Sequence, residues 1–183
     1  MLAKRILPGL GDAGARACAF RTNNIADPTS WKAWDGTGFN LKAAYNPYQE
    51  TITDPASKVC GDLTAAGGGD EGTGRVVLGG GLTFNTYLNK WVLVHGNATG
   101  SSAAGTKRIG AFYLTSDDLV HWSAPKLIMK SQRSMTDEKG PMRVYYTLID
   151  HDDTTRNFER SDNTAYLYYS VREEGGSGFD LMR

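Results

Sequence analysis

Apolar positions along this chain come in short runs, many alternating with polar residues and rich in aromatic and β-branched side chains. They do not recur at the three- and four-residue spacing that builds an amphipathic helix, and Gly or Pro interrupts most helical candidates. Strands are therefore predicted over residues 17–22, 81–87, 90–95, 109–115, 126–129, 144–149 and 165–172. Leu88-Asn89 is placed to join the second and third in a tight antiparallel hairpin. A small-residue loop then runs from Gly96 to Thr106, and the next strand begins at Ile109. Four strands in meander order thus occupy residues 81–130, the size and content of one propeller blade. A second unit begins at Val144, continues through 165–172, and after Gly175-Gly-Ser-Gly has room for one more short strand. Residues 40–80 resist this scheme. Long irregular stretches inside compact proteins are functional or poorly ordered, so 45–50 is expected to lie against a sheet edge and 67–74 to be mobile.

An internal repeat reinforces the strand reading. Phe20-Arg-Thr-Asn-Asn-Ile-Ala-Asp-Pro-Thr-Ser-Trp31 and Phe112-Tyr-Leu-Thr-Ser-Asp-Asp-Leu-Val-His-Trp122 share one order: strand, polar turn, then a Trp opening the next strand. Asx and Ser side chains stabilise such turns, and an indole fills the gap between packed sheets. The fold class is read as all-β.

Composition narrows the chemistry. The 183 residues carry 20 basic and 20 acidic side chains, with no basic stripe. A sequence-independent grip on nucleic acid needs clustered Lys and Arg, so no nucleic-acid partner is expected. The longest apolar runs, such as 76–78 and 91–94, fall far short of the roughly 18–20 residues of a membrane helix, so no membrane partner is expected. The opening stretch is cut by Pro8 and Gly9 and lacks the apolar core of a secretory signal. Cys18 and Cys60 permit one disulfide or two thiols. Neither has a second Cys or a His at ligand spacing, and His95, His121 and His151 are scattered, so no metal site is predicted. Each His is read as surface-exposed or internally satisfied. The 67–74 glycine run has neither Walker nor dinucleotide spacing, so no cofactor is predicted. Asn97-Ala-Thr matches an N-glycosylation acceptor.

Ser116-Asp-Asp-Leu-Val-His-Trp122 resembles the Ser-x-Asp-Leu-x-x-Trp signature on blades of five-bladed β-propeller glycoside hydrolases, the family 43 and family 32 type. The segment from Cys18 to Gly36, Tyr45-Asn-Pro-Tyr48, and the segment from Leu148 to Glu159 resemble the C-terminal part of uncharacterised bacterial proteins with that propeller. The resemblance covers residues 17–183. It implies a partial five-bladed β-propeller of about two to three blades of four-stranded antiparallel sheets, since a five-bladed ring of roughly 40–50-residue blades needs well over 200 residues. It also implies a carbohydrate partner, glycosidase activity if the chain is an enzyme, a secreted or periplasmic setting, and self-association through an unpaired blade face. A non-catalytic carbohydrate-binding or interaction propeller, or an inactive truncated product, is the alternative.

In the enzymes it resembles, carboxylates at the axial ends of the innermost strands act as acid and base, because the leaving oxygen must be protonated while water is activated across the sugar ring. The innermost strands here are predicted to be 81–87 and 144–149, which makes Thr83, Asn85 and Asp150 axial. Asp150 is a catalytic candidate, or the cap of a 150–153 turn. Glu138 lies in Asp137-Glu-Lys-Gly-Pro141, resembling the Glu-Gly-Pro around the family 43 acid, although Lys139 breaks the match. Its alternative is a solvated loop charge. Glu50, after two tyrosines and a proline, is suited to partial burial and is the third catalytic candidate. Arg21 beside Phe20 calls for a carboxylate, Asp27 or Asp35, or an anionic ligand. Asn85, with Trp34 and Tyr48 beside their turns, completes the substrate-binding candidates; inter-blade packing is the competing role for the aromatics. Arg156-Asn157 with Glu159 is read as pinning a loop.

Overall fold

The computed structural model describes residues 2–5, 16–43, 48, 51, 58–66, 80–99, 108–131 and 140–182. Among them there is no α-helix, and the chain is all-β. Internal contacts group the chain into two compact units, Met1–Leu63 and Thr64–Arg183.

In the first unit, β1 (Leu2–Arg5), β2 (Arg16–Arg21), β3 (Lys32–Ala33) and β4 (Leu41–Lys42) form an antiparallel sheet in that order. Cys18 and Cys60 are bonded, with Cα atoms 5.8 Å apart, and both are buried with Ala33 against Phe20 and Leu41. Of the two states that the cysteines permit, the bridge is the one found. The turn after β2 is built from side chains, as the repeat predicted. Asp27 accepts hydrogen bonds from the Thr29 backbone at 2.9 Å and the Thr29 hydroxyl at 2.8 Å, at the head of a short 3-10 turn, Pro28–Ser30. Proline suits the first position of such a turn, because its missing N–H would have no partner there.

The second unit holds β5 (Thr64–Ala65), β6 (Gly81–Asn85), β7 (Lys90–Thr99), β8 (Arg108–Ser116), β9 (His121–Trp122), β10 (Lys126–Lys130), β11 (Met142–Ile149), β12 (Arg160–Ser161), β13 (Tyr166–Arg172) and β14 (Asp180–Met182). β6, β7, β8 and β10 pair antiparallel in succession, the meander predicted for 81–130. The hairpin is looser than expected: Asn85 pairs with Lys90, so the turn holds residues 86–89. Asn89 sits there at φ 52°, in the left-handed region that Asn tolerates better than most residues. β7 and β8 also pair beyond the apolar stretch, through Asn97 with Gly110 and Thr99 with Arg108, so the predicted 96–106 loop is in part strand. Two short parallel pairings were not anticipated, β12 with β6 and β5 with β9. A further sheet runs β11, β13, β14, whose last strand is the short one that the sequence left room for.

The two large sheets of this unit pack through Val92, Val94, Ala111 and Tyr146, with Tyr113, Met129, Leu148, Leu167 and Tyr169 around them. Alternation explains the choice: along β7, Val92 and Val94 share one face, and along β13, Leu167 and Tyr169 do. Two glycines allow the approach. A Cβ on Gly81 would lie 2.9 Å from the Thr147 Cα, and one on Gly96 would lie 2.5 Å from the Tyr146 ring.

The Ser-x-Asp-Leu-x-x-Trp segment closes the end of β8. The Ser116 hydroxyl accepts from the backbones of Asp118 (3.2 Å) and Leu119 (2.9 Å). Asp118 accepts from Val120 (2.9 Å) and His121 (2.8 Å). Leu119, at φ 66°, turns the chain so that Trp122 is buried with its indole N–H 3.3 Å from the Leu119 carbonyl. Each side chain of the signature that carries a polar atom thus satisfies a backbone group that the tight turn would strand.

Candidate functional site

The candidate residues divide sharply. Glu50 and Glu138 lie outside the described residues, as do Tyr45 and the 67–74 glycine run. Asp150 is buried, and both its oxygens accept backbone N–H groups, from Asp152 at 2.9 Å and from Asp162 at 2.9 Å. It therefore closes the 150–153 turn and ties it to the segment ahead of β13. Asn85 is buried too. Its amide N–H groups donate to Ser161 Oγ (3.1 Å) and to the Asp162 carbonyl (2.5 Å), and its oxygen accepts from Leu88 (2.8 Å). Thr83 likewise donates to the Glu159 carbonyl at 3.1 Å. The polar groups of β6 thus latch the 159–162 segment onto the strand.

Arg21 is exposed, and its guanidinium carbon lies 4.7 Å from the Phe39 ring centroid. Among the described residues no ion pair joins it to Asp27 or Asp35, which corrects the expected carboxylate partner. Asp27 is engaged by Thr29. Asp35 accepts from Thr37, Gly38 and the Asn40 amide. The Asn40 bond first, then those from Thr37 and Gly38, hold the Asp35 carboxyl well below the usual carboxylate range. The guanidinium instead rests on an aromatic face, an attraction that needs no second charge. Trp34 is half-buried, edge-on to Phe39 at 5.5 Å. Tyr48 is 96% exposed. Asn157 donates to Glu159 at 3.0 Å, the loop-pinning contact read from the sequence. Asp153 has its carboxyl lowered, chiefly by the Thr155 hydroxyl and then by the Thr155 backbone.

Asp118 and His121 make a second acidic feature, with Nδ1 2.7 Å from Oδ2. Burial acts to raise the Asp118 carboxyl, but the hydrogen bonds from His121 and Val120 outweigh it and hold the group well below its usual range. Ser116 Oγ lies 3.2 Å from Asp118 Oδ1. Serine and histidine thus meet the carboxylate and not each other, so this is no nucleophile–base pair.

A concave surface missed by the sequence reading lies on the β11–β13–β14 sheet. This open cleft of about 580 Å³ is lined by Thr147, Ile149, His151, Phe158, Tyr168 and Leu181. Leu167 and Tyr169 turn toward the core, so Tyr166 and Tyr168 fall on the other face of β13. His151, just past β11, lies over Tyr166 with ring centroids 4.5 Å apart, and its Nε2 is 2.9 Å from the Tyr168 hydroxyl. Tyr166-Leu-Tyr168-Tyr was the legible signal, since alternation puts its first and third residues on one face. That His151 and Phe158 join them was not readable, because they come from the long connection between β11 and β13.

Comparison with protein-family models, with curated proteins and with solved structures finds no match to this chain.

Proposed function

We propose that this chain contributes blades to a five-bladed β-propeller of the glycoside hydrolase-like type, and that it acts on or binds carbohydrate. The observation that carries this reading is the Ser116–Trp122 turn. It closes a four-stranded meander, β6–β7–β8–β10, which packs face to face on a further antiparallel sheet, as neighbouring blades do. Of the proposed catalytic carboxylates, Asp150 alone lies among the described residues. Hydrolysis needs a proton donor and a base facing one glycosidic oxygen, whereas Asp27, Asp35, Asp118, Asp150 and Asp153 all accept hydrogen bonds from their own loops. If the chain does hydrolyse glycosides, Glu138 and Asp150 are the proposed acid and base, with Glu50 as a third carboxylate.

The test is retention on immobilised neutral and acidic polysaccharides, run beside a reducing-sugar assay on the same panel. Retention or sugar release is expected. Neither on any polysaccharide overturns the carbohydrate reading. Where sugar is released, Glu138→Gln or Asp150→Asn abolishes it, and full activity in both variants removes these residues from the chemistry.

A further inference from the structure

We propose that the cleft on the β11–β13–β14 sheet is a non-catalytic subsite that stacks one uncharged sugar ring. This rests on the carbohydrate reading and specifies where, and for which sugars. Three features of the cleft carry it.

The first is a rigid aromatic corner. His151 lies across Tyr166 at 4.5 Å with the planes 30° apart, and across Tyr168 at 6.1 Å with the planes 36° apart. The 2.9 Å contact between His151 Nε2 and the Tyr168 hydroxyl sets the angle between these rings. The apolar face of a pyranose is flat and about the size of one such ring. A corner held before binding loses little side-chain freedom when the sugar arrives.

The second is the lining. Besides Thr147, Ile149, Phe158 and Leu181 the lining holds the Tyr168 hydroxyl and the His151 imidazole, and among the described residues it includes no Lys, Arg, Asp or Glu. Hydroxyls and an imidazole can give and receive hydrogen bonds with sugar hydroxyls. An ionised uronic acid or amino sugar would lose water there without meeting an opposite charge, which is costly. The same lining lacks the carboxylate pair of a glycosidase, so the cleft holds sugar without cleaving it.

The third is shape. About 580 Å³ falls in the ~300–1,000 Å³ range of small-molecule sites and admits a sugar ring with part of its neighbour. The packed face of the neighbouring sheet is formed by Val92, Val94 and Ala111, with Tyr113 beside them. This one is concave and carries a hydrogen-bonded Tyr–His pair.

The test titrates the whole chain with cellotetraose and xylotetraose as neutral probes, and with tetragalacturonic acid and chitosan tetramer as charged ones, by calorimetry. Binding of a neutral probe is expected, weakened about tenfold or more by Tyr168→Ala, the loss typical of a buried aromatic anchor. Phe158→Ala, at an exposed position away from the core, is expected to weaken it several-fold and guards against a misfolded Tyr168 variant. Neutral binding untouched by both substitutions overturns the cleft and leaves the carbohydrate reading intact. Tighter binding of either charged probe overturns the assignment to uncharged sugars. Self-association abolished by Tyr168→Ala, with no tetrasaccharide bound, shows a protein interface and overturns the subsite. No binding of any tetrasaccharide also overturns the subsite, while the polysaccharide assay decides the carbohydrate reading separately.

Discussion

Replacing Gly96 by alanine adds one methyl where the two large sheets of the second unit meet. The new Cβ would lie 2.5 Å from Tyr146 Cε2 and 3.0 Å from Cδ2, about 1 Å inside the usual 3.5–4.0 Å carbon contact. The ring has little room to retreat. Tyr146 is 1% exposed, its hydroxyl donates to the Arg143 carbonyl at 3.1 Å, and Tyr169 stands 5.8 Å away across the ring. Overpacking of this kind costs about 1–3 kcal/mol. Alanine's lower backbone entropy in the unfolded chain returns roughly 0.5–1 kcal/mol, so mid-range values leave a net loss of about 1 kcal/mol. With a mid-range urea m-value of about 2 kcal/mol/M, the unfolding midpoint should fall by roughly 0.5 M. Urea unfolding followed by circular dichroism and by tryptophan fluorescence measures it. Pairing Gly96→Ala with Tyr146→Leu should cost less than the sum of the two, because the smaller side chain makes room for the methyl. A Gly96→Ala protein as stable as the parent, or strict additivity in the double variant, would refute the packing argument.

Two further perturbations probe other parts of the chain. Burial pushes the Tyr146 hydroxyl up to about 12 from its ordinary 10.0, since a phenolate there would lose its water. A group raised on folding adds stability that is complete below the unfolded value and is lost as pH rises through the folded one. That contribution, on the order of 2 kcal/mol, therefore disappears between about pH 10 and 12. Tyr146→Phe should have a flatter alkaline unfolding curve than the parent, and matching curves would count against the burial argument. The Cys18–Cys60 bridge spans 42 residues of sequence, for which the loop-entropy model gives roughly 4 kcal/mol. Cys18→Ser with Cys60→Ser should lower the melting temperature of the first unit by calorimetry, and an unchanged transition would show that the bridge contributes little.

How much of this molecule its amino acids reveal depends on the range of the interaction. Alternation along 90–94 and 166–169 reports which residues share a face, because the two-residue repeat of a strand is local. The side-chain-capped turns after Phe20 and Phe112 are likewise legible, since Asp27, Ser116 and Asp118 bond to backbone groups only two or three residues away. Strands of two residues, such as β3, β9 and β12, carry no periodicity and exist only through a partner. The ends of β7 and β8 escaped notice because 97–99 and 108 have no apolar alternation, and backbone pairing alone extends them. Tertiary structure decided that Cys18 and Cys60 bond, that Arg21 rests on Phe39 rather than on a carboxylate, and that Asn85 holds residues 161 and 162, 76 and 77 positions away. It also gathered the cleft from β11, β13, β14 and the 151–158 connection. Such pairings are set by competition among all the faces and polar groups of the chain at once, and no short window of sequence contains that competition.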